Sequence, residues 1–108
     1  MKNKAFSYLG LSMRAGKVVS GDEGVLKTIR SGEAKLVILA NDASDNAKKK
    51  YQDKCLSYKI PIVEFCDRYE IGKSIGKEER VIVAVTDSGL AKMINKCLVK
   101  PVEVKDIE

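Results

Sequence analysis

A single-domain, three-layer α/β/α sandwich around a central mixed sheet is the fold class that this sequence predicts. Three observations carry the expectation. The chain has 108 residues and is 44% hydrophobic, enough to bury one core without disulfides or a structural metal. Two short apolar runs, Leu36-Val37-Ile38-Leu39-Ala40 and Val81-Ile82-Val83-Ala84-Val85, have the pattern of strands covered on both faces. Segments of helical period alternate with them, so helices are expected on both sides of the sheet, with parallel neighbours joined through right-handed crossovers.

Phe6, Leu9 and Met13 fall on one helical face and Gly16 follows as a stop, so residues 4–15 read as a first helix. Residues 17–19 form a short extended link. Ser20-Gly21-Asp22-Glu23 resembles a capping box opening a second helix, with Val25, Leu26 and Ile29 inward and Gly32 at its end. After the central strand at 36–40, residues 41–45 supply turn and N-cap chemistry. Ala47, Tyr51, Cys55 and Tyr58 then mark the buried side of a third helix whose outer face carries Lys48, Lys49 and Lys50. Pro61 begins a second strand at 61–65, since it lacks a ladder donor. Asp67-Arg68-Tyr69-Glu70 caps a short helix that ends at the glycines of Ile71-Gly72-Lys73-Ser74-Ile75-Gly76. A polar loop at 77–80 leads into the strand at 81–85. Thr86 or Asp87 caps a last helix with Leu90, Met93, Ile94, Cys97 and Leu98 inward, which Pro101 ends. The domain spans residues 1–99, and 100–108 reads as a loose tail.

Lys and Arg outnumber Asp and Glu by 20 to 15, and the resulting charge of +5 favours a polyanionic partner. Catalysis is not expected: there is no histidine, no nucleophile elbow and no thiol beside a base. Cys55, Cys66 and Cys97 form no metal-ligand spacing and read as reduced thiols of a cytoplasmic protein. No cofactor, small-molecule substrate or membrane is expected. Gly72-Lys73-Ser74-Ile75-Gly76-Lys77 superficially suggests a phosphate loop. It is one residue short between its glycines, has Glu78 where a magnesium-binding hydroxyl belongs, and precedes a strand rather than following one.

Two glycine-bearing segments are the candidate binding elements, because glycine permits close backbone approach and a helix N-terminus offers free N–H groups to phosphate. One contains Gly21, Asp22, Glu23, Gly24 and Lys27; the other is the loop at 71–80, with Gly72, Lys73, Ile75, Gly76, Lys77 and Arg80. If both lie at one sheet edge, Arg14, Lys17, Lys27, Lys73, Lys77 and Arg80 would surround a polyanion. Each also has a plainer reading. Asp22 and Glu23 suit any helix start, the lysines at 48–50 suit a solvated face, Tyr51 and Tyr58 suit a core, and Gly72 and Gly76 suit a helix end. Lys27, a cation in an early helical turn, has no such dipole rationale.

Residues 21–42, from Gly21-Asp22-Glu23-Gly24-Val25-Leu26-Lys27 to Leu39-Ala40-Asn41-Asp42, resemble the signature of the kink-turn-binding ribosomal protein superfamily, which contains large-subunit proteins seven Ae and thirty e. Ile71-Gly72-Lys73-Ser74-Ile75-Gly76 resembles that family's second signature, and the order of elements agrees over residues 5–98. Within it the chain is most similar to the bacterial YlxQ-like branch, through Lys17-Val18-Val19-Ser20-Gly21, Asp53-Lys54-Cys55 and Ser74-Ile75-Gly76-Lys77-Glu78. The resemblance implies non-catalytic binding of structured RNA, with ribosomal RNA or the ribosome as candidate partners. It implies that the Gly21 helix end docks at sheared G·A pairs, that Ile75 packs on an extruded base, and that Lys27 meets phosphates or a guanine edge. Family kink-turn binders carry Asn-Glu or Lys-Gln where this chain has Glu23-Gly24, and Glu23 accepts hydrogen bonds only. Since some members have exchanged RNA for protein, a protein-interaction module is the alternative; a further one is a lone substrate domain of an RNA methyltransferase.

Overall fold

A computed structural model of the chain describes residues 4–98, and the expected tail at 100–108 lies outside them. The elements run α1 (Lys4–Arg14), β1 (Val18–Ser20), α2 (Asp22–Ser31), β2 (Leu36–Leu39), α3 (Asp45–Tyr58), β3 (Ile62–Glu64), α4 (Arg68–Ser74), β4 (Ile82–Val85) and α5 (Ser88–Leu98). Every residue of β2 and β4 is buried, as their uninterrupted apolar character requires. Successive side chains along a strand point to opposite faces, so each run feeds two cores. Leu36, Ile38, Val83 and Val85 pack with Leu9 of α1, Ile71 of α4 and Ile94 of α5. Val37, Leu39, Ile82 and Ala84 pack with Val25 and Ile29 of α2 and Tyr51 and Cys55 of α3. The layers are therefore α1/α4/α5, sheet, and α2/α3.

The sheet is mixed, in the order β1-β4-β2-β3. Strand β4 is antiparallel to both β1 and β2, with Ser20 opposite Val83 and Leu39 opposite Ile82. Strands β2 and β3 are parallel, with Leu39 opposite Glu64, and are joined through α3 as a parallel pair demands.

Several local expectations are corrected. The link read at 17–19 is a strand, β1, whose three half-buried residues acquire their ladder from β4. No capping box forms at α2. Its N-cap is Gly21, at φ 95° and ψ 155°, and Ser20 belongs to β1, where its Oγ accepts from Arg80 Nε at 3.3 Å. Helix α4 ends at Ser74, between the two glycines expected to end it, so the loop read from 71 begins only after residue 74. Tyr58 is 47% exposed, because the chain turns through left-handed Lys59 and Ile60 takes the inward place. Met93 is 41% exposed, and the buried residues of α5 are Ala91 and Ile94.

Candidate nucleic-acid interface

Because β4 runs against β1 and β2, its N-terminal end meets their C-terminal ends at one edge of the sheet. Gly21 N donates to Ile82 O at 3.3 Å and Ala40 N to Val81 O at 2.8 Å. The start of α2 and the segment before β4 are thereby brought to the same end of the sheet, but of the six cations expected around them Arg14, Lys17 and Lys73 lie elsewhere. Arg80 ties them: its Nε donates to Ser20 Oγ at 3.3 Å, and its backbone N donates to Arg68 O at 3.0 Å. Arg68 in turn holds the turn after β2, its Nε donating to Asp42 Oδ2 at 3.2 Å and its Nη2 to Asp42 O at 2.8 Å.

The helices differ at their starts. Ser44 Oγ accepts from Ala47 N at the head of α3, Asp67 from Tyr69 N and Glu70 N at α4, and Asp87 from Leu90 N at α5. Gly21 offers no side chain, and no side chain caps α2. The first-turn amides of Asp22, Glu23 and Gly24, with the positive end of the helix dipole behind them, thus face outward without a side-chain acceptor.

Asp22 is committed within the fold. Its Oδ1 pairs with Lys50 Nζ at 2.8 Å and accepts from the Tyr51 hydroxyl, and Lys50 Nζ lies 5.3 Å from the centre of the Tyr51 ring. Glu23 and Lys27 are exposed one turn apart on the outer face of α2 and make no hydrogen bond or ion pair through their side chains among the described residues. Gly24 closes the contact between α2 and β1: a Cβ there would stand 2.8 Å from Val19 Cγ1. Gly76, at φ 73°, and exposed Lys77 open the loop that Arg80 ends.

Other expected members lie elsewhere. Gly72 is buried inside α4, where a Cβ would collide with the Glu78 carbonyl, so its role is packing. Ile75 is 4% exposed and belongs to the core, so it has no free face to lay on a base. Lys73 lines a groove of about 310 Å³ with Phe6 and Ser7, between α4 and α1. The Arg14 guanidinium folds over Gly10, on α1. Lys17 precedes β1, and its carbonyl accepts from Thr86 N at 2.9 Å, which puts it at the opposite end of the sheet. Arg68 and Asp42 were missed as organisers of the edge; they are 26 residues apart, and only the fold joins them.

Burial pushes the Cys55 thiol up to about 11, which keeps it protonated and unreactive at neutral pH. Among the described residues no three His, Cys, Asp or Glu side chains are grouped to hold a metal, and no helix is long and apolar enough to cross a membrane.

Residues 3–95 match the model of the ribosomal protein L7Ae/L30e/S12e/Gadd45 family. RNA-binding protein YlxQ of Bacillus subtilis (strain 168) is 54% identical over 89 residues, covering 82% of this chain and 89% of its own. RNA-binding protein YlxQ of Enterococcus faecium is 44% identical over 91 residues, covering 84% and 87%. The solved structure of a protein with unknown function from Bacillus halodurans C superposes with a TM-score of 0.86 at 41% identity, covering 89% of this chain and 97% of that one.

Proposed function

Because the chain belongs to the ribosomal protein L7Ae/L30e/S12e/Gadd45 family, we propose that it binds structured RNA in the cytoplasm, without catalysis, through the start of α2 and the loop before β4. The observation that carries this reading is the uncapped Gly21 helix end, set beside a second glycine-bearing loop by Arg80. RNA phosphate is a fitting acceptor for such amides, and Lys27 and Lys77 supply cations that no carboxylate engages. The two YlxQ relatives, described as RNA-binding proteins, support the same partner.

The mode of contact departs from side-chain readout at positions 23 and 24. Glu23 cannot donate, and Gly24 has no room for a side chain unless Val19 yields. The backbone amides and Lys27 therefore carry the contact, which favours phosphate and groove shape over base identity.

The test is a binding titration with a kink-turn RNA and a plain duplex of equal length, using wild type, Lys27→Ala and Lys49→Ala. Lys27→Ala is expected to weaken binding by about tenfold at low salt, and Lys49→Ala, whose lysine pairs with Asp53 at 3.5 Å on α3, hardly at all. Equal losses would reject this site, and no affinity for either RNA would reject the function.

A further inference from the structure

The positive charge of the chain is unevenly distributed over the fold. At the α2 end of the sheet, the turns and helix starts at 20–23, 42–45, 64–70 and 77–80 carry nine carboxylates and three cations. The corresponding segments at the other end, 14–17, 30–35, 59–61 and 86–92, carry two carboxylates and six cations. The loops and helix starts at the far end are thus the cationic ones, while the remaining cations of the described residues, Lys27 and Lys48 to Lys50 among them, stand on the bodies of helices.

Three helices end there, and a cation near a helix C-terminus answers the dipole, which accounts for Arg14 and Arg30 in the last turns of α1 and α2. It does not account for Lys92. That residue stands in the second turn of α5, where the dipole opposes a cation. Lys17 follows α1 and leads into β1. Lys35 N donates to Val85 O at 2.8 Å, and Lys35 Nζ to Gly32 O at 3.2 Å, which fixes this lysine between the other two.

Two adjoining depressions, of about 500 and 240 Å³, share Lys35. The larger also holds Lys17, with Glu33 as the one carboxylate on its lining, and the smaller Lys92. All three lysines are exposed, and none meets a carboxylate among the described residues. The smaller has an apolar floor of Leu36, Pro61 and Ala91, but none of the exposed large apolar side chains of the described chain lines either depression, so no protruding apolar anchor of a protein interface or a membrane-inserting face stands there.

We propose that this end is a second phosphate-binding surface, which takes the backbone of a structured RNA whose other part is held at the α2 end. The proposal rests on the RNA-binding reading above. The molecule measures 43 × 30 × 26 Å, so a straight duplex arm of about ten to fifteen base pairs, roughly 3 Å each, is long enough to lie alongside it from one end of the sheet to the other.

The probes are two kink-turn RNAs that differ only in arm length, one with about four base pairs on each side and one with about fifteen. For the variant Lys17→Gln/Lys35→Gln/Lys92→Gln, affinity for the short RNA should be unchanged. Affinity for the long RNA should fall tenfold or more, and its slope of log K against log salt should shrink by about 2 to 3, one ionic contact per lysine. Lys27→Gln should weaken both RNAs alike, and an unaltered unfolding midpoint for the triple variant shows that the fold is intact. Equal behaviour of the triple variant and wild type on both RNAs, or equal losses on both, overturns the second surface and leaves the first standing. Failure of wild type to bind either RNA overturns both.

Discussion

Gly21 and Gly72 lack a side chain for different reasons. At Gly21 the backbone adopts φ 95° and ψ 155°, and nothing lies within 4 Å of where a Cβ would stand, so a side chain there would meet strain but no obstacle. At Gly72 the helical backbone is ordinary, and the obstacle is the Glu78 main chain, held close by Lys77 N donating to Gly72 O at 2.8 Å. Gly21→Ala is therefore expected to cost about 1–3 kcal/mol and leave the fold in place. Gly72→Ala is expected to cost more than about 4 kcal/mol, because α4 and its loop must separate. Urea denaturation of the two variants checks this, and equal midpoints would contradict it. The sequence marked both glycines as members of a binding surface; a letter does not say whether a missing Cβ serves conformation or contact.

At the scale of elements, the start of α2 is held in place by α3. Asp22 reaches Lys50 and Tyr51, so the acid that local reasoning assigned to the helix dipole also works as an inter-helix tie. Tyr51→Phe is expected to cost about 1 kcal/mol by removing one hydrogen bond from a carboxylate that keeps its lysine. A double-mutant cycle with Asp22→Asn should return a coupling of about 0.5–2 kcal/mol, measured by chemical denaturation; a coupling of zero would mean that the two helices are held by apolar packing alone. Because the tie holds the head of α2, the same pair should also weaken RNA binding slightly when broken. Tyr51 was legible as a core residue from its helical spacing, but its hydroxyl partner, 29 residues away, was not.

At the scale of the molecule, one sheet serves two cores, and β2 and β4 contribute to both through alternate residues. Damage to either core is therefore expected to lower one common transition. Leu9→Ala, beneath α1, and Ile29→Ala, beneath α2, should each cost about 2–5 kcal/mol, with the same midpoint by circular dichroism and tyrosine fluorescence; separated midpoints would show that the layers unfold independently. By itself the sequence determined the layered class, the two central strands, the five helices and the two glycine-bearing segments, because each is written in a local period, a buried run or a chain-breaking residue. Only the tertiary structure decided which of these meet. Strand β1 has three half-buried residues and no period of its own. The antiparallel course of β4 joins Gly21 to the loop at 75–81 and sends Lys17 to the far end with Lys35. Strand direction is set by hydrogen bonds between segments far apart in the chain, such as Val18 opposite Val85 and Leu39 opposite Ile82, and a local pattern carries no record of them.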